Sequence, residues 1–307
     1  MMLPLCADEE LRHGLSPAEE AIVRSVLYAA VFDYPLTLSQ LRQTLIGSAQ
    51  TPSEIVAALR HNAALATLVH MRDGFIFPAG RSDLIAIRRR REQRSRGFLA
   101  DHGPLLRLIA ALPYVRLLGL SGSVAHLNME NGGDLDIFIV TRGARVWSTA
   151  VAVILLAKAL GRRRTLCANF IVADSSLTVD QPDLFSANQV INLKPLLGDD
   201  MYRRLLEANP FVHDFYPNFH APNAGHLRVR QPALLRGVKA VVEAVGWLPS
   251  ALAEVVCRTA YRAYLRRQSA SWRSPEQVVL GDTVLKLHTR SHRARVLRRF
   301  NAAVGDL

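Results

Sequence analysis

Two aspartates stand inside an apolar stretch that runs from Asp134 to Val140. In an extended strand, residues two apart point to the same side and lie about 7 Å apart, so Asp134 and Asp136 share one face. A carboxylate buried without a partner costs several kcal/mol, which makes Asp136 hard to explain as a plain core residue. The alternative for Asp134 is a local hydrogen bond in a turn at Gly132-Gly133. The pattern favours a strand that presents two acids to a ligand.

A Gly-Ser turn precedes this strand. The apolar segment Val115 to Leu120 predicts a short strand that leads into Gly122 and Ser123, and ten residues separate Ser123 from Asp134. Gly122 lets the backbone approach a ligand, and Ser123 offers a hydroxyl and an N–H at the predicted start of a helix, which together form a phosphate cradle. Two carboxylates beside such a cradle bind Mg²⁺ or Mn²⁺ at a triphosphate and orient an attacking hydroxyl for in-line displacement. The structural alternative is an ordinary turn.

The N-terminal region, residues 1–85, combines helical periodicity with clear caps. Apolar residues at helical spacing follow three capping residues, which predicts three helices. The caps are Ser16, Thr37 and Thr51. Two strands are then predicted, Leu65 to Met71 and Phe75 to Pro78, joined by a hairpin turn at Asp73-Gly74. Three helices followed by a hairpin are typical of a winged helix.

The pattern changes after a basic helical linker at residues 86–112. Residues 113–222 alternate strands with helices, which predicts a mixed sheet flanked by helices. The predicted strands are Val115 to Leu120, Leu135 to Val140 and Thr165 to Ala173, with a helix from Val146 to Leu160. Residues 223–307 predict a helical region without a clear strand. The predicted fold class is α+β.

The motif itself resembles a known family. Gly122-Ser123, the ten-residue spacer and Asp134-x-Asp136 between apolar residues resemble the signature of the DNA polymerase beta-like nucleotidyltransferase superfamily. The resemblance covers about Val115 to Val140, and the wider arrangement resembles uncharacterised bacterial members with an N-terminal winged helix. It implies that Ser123 contacts the triphosphate and that Asp134 and Asp136 hold the metals. The implied reaction moves a nucleoside monophosphate from an NTP to a hydroxyl acceptor and releases pyrophosphate.

The next predicted strand departs from this signature. Members of the superfamily often carry a third carboxylate there, whereas the inward polar residue of this chain is Asn169, which can bind but cannot act as a base. Asp174 would substitute if the strand is shorter. Two functions stay open. One is a metal-dependent nucleotidyltransferase with a small molecule, protein or RNA as acceptor; the other is a winged-helix nucleic-acid or protein-binding regulator with a degenerate, non-turnover site.

The positive net charge of the chain favours polyanionic partners but does not identify one. The formal charge is +12, and only four of the 38 basic residues are lysine. Arginine suits phosphate and nucleic acid, although coding bias gives the same composition. The run from Arg88 to Arg96 either contacts nucleic acid or phosphate, or forms a solvated helix face that pairs with acids. The third predicted helix offers DNA only Arg60 and His61, so the winged helix also fits a protein-packing role.

Several classes of site are not expected. Three widely spaced cysteines, of which Cys6 is the first, indicate neither a disulfide framework nor a CxxC metal site, and they fit a reducing cytoplasm. The apolar segment Val146 to Leu160 is too short to span a bilayer, so no membrane partner is predicted. His288 and His292 stand four apart, but no Cys or acid lies between them, and a metal site is not expected there.

Overall fold

The computed structural model describes residues 14–221, 228–229 and 231–305, without the side chains of Trp247 and Leu248. Within these ranges the chain is an α+β protein with thirteen α-helices, a mixed six-stranded sheet and a two-stranded hairpin. The predicted α+β class and the helical C-terminal region are confirmed. Cys6 and the predicted boundary between residues 222 and 223 lie outside the described ranges.

Four helices and a hairpin form the N-terminal part. Each of the first three helices begins with a capping box, in which a Ser or Thr side chain and the third helical residue exchange hydrogen bonds. The three predicted caps are confirmed. The elements are α1 (Pro17–Ala30), α2 (Leu38–Gln43), α3 (Pro52–His61), α4 (Ala63–Leu68), β1 (Val69–Arg72) and β2 (Phe75–Pro78).

The predicted strand from Leu65 to Met71 is wrong at its start. Its first residues belong to α4, and β1 begins only at Val69. Asn62 explains the difference, because its side chain accepts a hydrogen bond from the Leu65 N–H at 3.0 Å and so caps a short Ala-rich helix. The predicted hairpin turn at residues 73 and 74 is confirmed, since both residues have positive φ as a type I′ turn requires.

One long helix, α5 (Asp83–Ala111), leads from the hairpin to the sheet. Two of its central arginines make contacts within the chain. Arg88 is 7% exposed, and its guanidinium lies 4.1 Å from the centre of the Tyr34 ring. Arg91 forms an ion pair with Asp33 at 3.3 Å. These arginines of the basic run therefore tie α5 to the N-terminal helices.

The central sheet has the strand order β6-β3-β4-β5-β8-β7, in which β4 and β5 are parallel and every other neighbouring pair is antiparallel. The three predicted strands are confirmed to within one residue at each end. The strands are β3 (Val115–Leu120), β4 (Leu135–Thr141), β5 (Leu166–Ala173), β6 (Lys194–Leu197), β7 (Val278–Leu280) and β8 (Val284–Leu287). The intervening helices are α6 (Gly122–Ala125), α7 (Val146–Ala159), α8 (Leu184–Asn192), α9 (Asp199–Glu207) and α10 (Phe211–Phe215).

The mainly helical C-terminal region also contains two short strands, although the sequence shows no clear strand there. Strand β8 pairs with β5, Val172 opposite Val284, and β7 extends the sheet by one further strand. Leu285 of β8 is fully buried in the same apolar core as Ile171 of β5. The two strands have only three and four residues, which is too short for an alternating pattern to stand out in a sequence.

Different helices cover the two faces of the sheet. Side chains of α5 and α7 pack on the face that carries Ile137 and Ile139. Side chains of α9 pack on the opposite face, against Phe138 and Val140. Because side chains alternate along a strand, Asp136 lies on the face of Phe138, beyond the part that α9 covers. The candidate acid pair therefore lies at the part of this face that α9 leaves uncovered.

The remaining helices are α11 (Ala233–Val245), α12 (Trp247–Arg267) and α13 (Arg293–Gly305). The last of these packs beside α1 and α8, and Phe300 contacts Tyr28 edge to face with ring centres 5.1 Å apart.

No single helix in the described ranges is both long and apolar enough to cross a membrane. Only α11 and α12 taken together would pass by length and composition, and they are bent by 91°.

Candidate metal and nucleotide site

The two aspartates stand at the start of β4 with a cysteine of β5 beside them. Asp134 immediately precedes the strand and Asp136 is its second residue. One carboxylate oxygen of each and the Cys167 sulfur all lie within 4.8 Å of one another. This spacing allows the three atoms to approach a common ion. The structure therefore brings the predicted pair together and adds Cys167, which the sequence did not single out.

The Gly-Ser turn lies directly against Asp136. The Ser121 N–H donates to the Asp136 carbonyl at 3.0 Å, and α6 begins at the next residue, Gly122. Gly122 has φ +63°, and a Cβ at this position would lie 3.0 Å from the Asp136 carboxyl carbon and overlap one of its oxygens. Only glycine fits this approach without strain or displacement. Ser123 follows in the first turn of α6, so the predicted helix start is present and adjoins the acids.

Helix α5 contacts the loop between α6 and β4 through hydrogen bonds and an ion pair. Ser95, which is fully buried on α5, accepts a hydrogen bond from the Met129 N–H at 3.0 Å, and Arg94 donates to the Met129 carbonyl at 3.1 Å. Arg91 adds an ion pair to Glu130 at 2.9 Å. The loop that follows the Gly-Ser turn and α6 is therefore fixed by contacts with α5, to which the basic run contributes Arg91 and Arg94.

Strand β5 presents two polar side chains to the two acids. The Cys167 thiol donates to the Asp134 carboxylate, and the Asn169 amide donates to Asp136 at 3.2 Å. The register between β4 and β5 shifts after Asp136, where β5 has an additional residue before Phe170. Such a bulge re-aims side chains, which is how two polar residues of one strand reach neighbouring carboxylates.

Burial dominates the electrostatics of the site. It raises the pKa of Asp136 from 3.8 to about 7, with a further rise from the neighbouring Asp134 charge and a smaller opposing effect of the Asn169 hydrogen bond. Burial, followed by the hydrogen bond to Asp134, raises the pKa of the Cys167 thiol to about 12. The thiol is consequently protonated near neutral pH and acts as a donor. Within the described part of the chain no cation lowers the pKa of Asp136.

Two basic groups from distant segments stand near the site. Lys194 begins β6 and its backbone pairs with Leu120, the last residue of β3, beside the Gly-Ser turn, but its side chain takes the face of Leu120, opposite that of Asp136. Burial lowers the pKa of Lys194, and among the residues that the structure describes none forms an ion pair with it. His292 precedes α13 and is close enough to Asp134 for that charge to raise its pKa, against the larger lowering effect of burial.

Other candidate groups lie elsewhere. Asp174, the possible substitute for a third acid, follows the opposite end of β5 and accepts a hydrogen bond from the Gly143 N–H at 2.9 Å. The suggestion that it joins the acid pair is wrong, because β5 is as long as its apolar run indicates. Burial lowers the pKa of His288 to about 4, and its ring packs on Phe170 with centres 5.9 Å apart.

The sequence missed three residues of this site and its surroundings for identifiable reasons. Cys167 reads as an apolar strand residue. Lys194 reaches the turn only through the pairing of β6 with β3, which no local pattern reveals. His292 lies near Asp134 only because β8 pairs with β5, which brings the segment after β8 to this end of the sheet. No protein-family model matches this chain, and comparisons with curated proteins and with solved structures found no match either.

Proposed function

We propose that the chain is a metal-dependent nucleotidyltransferase that transfers a nucleoside monophosphate from an NTP to a hydroxyl acceptor. The observation that carries the proposal is the contact between Gly122 and the Asp136 carboxylate. It joins a glycine turn at a helix start to a pair of acids, and these are the two parts that binding a triphosphate and its metal requires.

The donor set fits a hard divalent cation. Burial, followed by the neighbouring Asp134 charge, raises the pKa of Asp136 to about 7, so its ionised form is unfavourable without a counter-ion. Carboxylate oxygens suit Mg²⁺ and Mn²⁺, and Asp134 and Asp136 would be the ligands. When bound, the cation supplies Lewis-acid polarisation of the phosphoryl oxygens and charge neutralisation.

The residues of the chain then have distinct tasks. Backbone N–H groups of the turn and the Ser123 hydroxyl would hold the phosphates. Asn169 orients Asp136 through its hydrogen bond but cannot accept a proton as a base. The acceptor oxygen forms a bond to the α-phosphorus, the bond to the β-phosphate oxygen breaks, and pyrophosphate leaves. The hydroxyl proton passes to solvent.

We also propose the finer fold assignment that the motif resemblance implies. Helices α1 to α3 and the β1–β2 hairpin would form a winged helix, supported by the bridge that Leu36 makes with Ile76 of the hairpin. The central sheet would be of the nucleotidyltransferase type. Because α5 uses Arg88 and Arg91 in contacts within the chain, a role in positioning the site is better supported for the winged helix than a role in binding DNA.

A second candidate is a nucleotide-binding regulator without turnover. Asn169 favours it, because it occupies the place where a third carboxylate would assist the acceptor hydroxyl. Such a protein would bind an NTP with Mn²⁺ and transfer nothing.

The test is transfer of label from each α-labelled NTP, with Mg²⁺ or Mn²⁺, to acceptors in a cell lysate. We expect a labelled product with the wild-type chain, loss of labelling in Asp136→Asn, and retention in the matched variant Asp174→Asn at the other end of β5. NTP binding without labelling would favour the regulator. Absence of Mn²⁺-dependent NTP binding would exclude both candidates.

A further inference from the structure

Helix α11 is oriented with its polar side toward the protein. The Lys239 ammonium donates to the Val115 carbonyl at 2.6 Å. The Glu243 carboxylate accepts from the Tyr114 N–H at 2.8 Å and from Arg116 at 2.9 Å. In a helix of a soluble domain the charged residues normally face water and the apolar residues face the core. In α11 this arrangement is reversed.

Helix α12 repeats the reversal. Glu254 is only 5% exposed, and its carboxylate accepts from the Trp147 and Ser148 N–H groups, each at 2.8 Å, at the start of α7. Arg258 on the next turn pairs with Asp282 at 2.9 Å. The N-terminus of α7 satisfies the Glu254 charge well, since free N–H groups point at it. Both helices are therefore fixed to the body of the protein by polar contacts.

The outward faces of the two helices are apolar. Their large exposed side chains recur at intervals of three and four residues, so they form a stripe along each helix. We call this the α11/α12 surface. It comprises Leu234 (77% exposed), Val238 (52%), Val241 (63%), Val242 (41%), Val245 (76%), Leu252 (65%), Val255 (50%) and Val256 (65%). Exposed apolar stripes of this kind, on two helices that follow one another directly in the chain, mark an interaction site.

Arginines lie at the end of this surface. Arg266 and Arg267 are exposed and continue the face of Leu252 and Val256 in the last turn of α12. The exposed segment Arg162 to Arg164 follows α7, and Arg163 is close enough to Tyr261 of α12 to oppose the rise that burial causes in the pKa of its phenol. Within the described ranges none of these five arginines has a carboxylate partner. Positive charge without an ion-pair partner among the described residues therefore lies in the last turn of α12 and beside the same helix at Tyr261.

We propose that the α11/α12 surface docks on an anionic lipid bilayer. Apolar side chains that enter the acyl boundary, with arginines at the level of the headgroups, are the features of a helix that lies in a membrane interface. The bend of 91° between the two helices suits a pair lying on the bilayer rather than one straight span. The formal charge of +12 favours an anionic surface and opposes pairing with a second, equally charged copy. The proposal departs from the prediction of no membrane partner and is independent of the proposed reaction.

The test is co-sedimentation of the full-length chain with vesicles of phosphatidylcholine that contain roughly a third phosphatidylglycerol. We expect wild type to sediment with these vesicles, and the double variant Val241→Glu/Val245→Glu to bind at least about tenfold more weakly because charges would enter the acyl region. Both positions are exposed, so the variant should fold, which circular dichroism checks. Met71→Glu is the matched control, since Met71 is 46% exposed on the distant hairpin, and it should bind as wild type does.

Three results would overturn the proposal. Wild type that stays in the supernatant at low salt does not bind the bilayer. Equal binding of wild type and the double variant would show adsorption by another charged surface. A discrete dimer without vesicles that Val241→Glu/Val245→Glu dissociates would assign the surface to a second copy. A positive result is sharpened by Val241→Trp, whose fluorescence should shift to the blue with anionic vesicles, and by Arg266→Gln/Arg267→Gln, which should reduce the salt dependence of binding.

Discussion

At the scale of single residues, Asp136 sets the properties of the site. Its folded pKa of about 7 lies above the ordinary 3.8, so between these values the folded state holds a proton that the unfolded state has lost. Stability linked to this group is fully present below pH 3.8 and declines as the pH rises to about 7. In the absence of metal, the residue best placed to bind a cation is also a source of instability at neutral pH.

Replacement of this carboxyl should separate stability from function. Asp136→Asn removes the buried charge while keeping the shape, so we expect the metal-free variant to be about 2–4 kcal/mol more stable than wild type at pH 8. The gain should shrink as the pH approaches 4, where wild type is neutral at this position as well. Urea unfolding at both pH values measures the effect. An equal gain at both would show that the charge is not its cause.

Metal binding should depend on the same proton. Below about pH 7 a divalent cation has to displace the Asp136 proton, so Mn²⁺ affinity should fall by about tenfold per pH unit and level off above pH 7. Electron paramagnetic resonance titration of free Mn²⁺ at pH 6, 7 and 8 gives the profile. A flat profile would mean that Asp136 is not a ligand.

Gly122, the first residue of α6, can be compared with Gly132 in the loop that follows this helix. Gly122 and Gly132 both have positive φ, 63° and 73°, but only a Cβ on Gly122 would meet another group, the Asp136 carboxyl. Alanine at Gly132 should therefore lower stability by about 1 kcal/mol through backbone strain alone. Alanine at Gly122 should in addition weaken Mn²⁺ binding at least about tenfold by displacing the carboxylate. Isothermal titration distinguishes them, and similar affinities in the two variants would refute the contact as the basis of the site.

At the scale of elements, helix α5 positions the loop between α6 and β4. Ser95 is the central contact, because its hydroxyl accepts from the Met129 N–H and donates to the Arg91 carbonyl at 2.7 Å. The Ser95 hydroxyl thus links the loop to the helix by direct hydrogen bonds. A loop held in this way keeps the Gly-Ser turn in place beside the acids.

Removal of that hydroxyl should loosen the loop. Ser95→Ala leaves the buried Met129 N–H unpaired, so we expect a loss of stability of about 1–3 kcal/mol and weaker NTP binding. Thr259→Ala is the matched control, because Thr259 makes the same bond to the residue four before it, at 2.9 Å, but on an exposed face of α12. Hydrogen exchange of residues 122–133 should rise in the first variant only. Unchanged exchange there would show that α5 does not hold the loop.

Local signals explain which elements were predictable. The Gly-Ser turn directly follows β3, and Asp136 and Asn169 interrupt the apolar pattern of β4 and β5. The structure brings these features together. Strands β7 and β8 have three and four residues and lack such a pattern. The positions of Lys194 and His292 around the site were not predictable either, since they follow from strand pairing between segments far apart in the sequence. The predicted domain boundaries stay predictions.

At the scale of the whole molecule, one apolar cluster joins distant parts of the chain. It contains Tyr28 from α1, Val190 from α8, Tyr216 after α10 and Phe300 from α13. Such a shared core couples the N-terminal helices to the sheet region, so we expect them to unfold together. The Tyr28 hydroxyl is buried within this cluster without a hydrogen-bond partner in the described part of the chain.

This coupling can be tested with two substitutions. Phe300→Ala should lower the stability by about 3–5 kcal/mol by removing an almost fully buried ring. Tyr28→Phe keeps the ring contact and removes the unpaired hydroxyl, so it should be neutral or stabilising. Circular dichroism and tryptophan fluorescence, to which Trp147 and Trp272 in the separate core of the sheet contribute, should report one common transition. Two transitions in Phe300→Ala would show independently folding parts.

The pairing of β5 with β8 also has a consequence during synthesis of the protein. Strand β5 leaves the ribosome with its outer edge unpaired, and the segment that covers it, Val284–Leu287, is made only after a long helical stretch. An open apolar strand edge is a template for wrong pairing with other chains. Nascent protein should therefore depend on chaperones until β8 emerges, and chains cut between α12 and β7 should aggregate rather than accumulate as a smaller soluble protein.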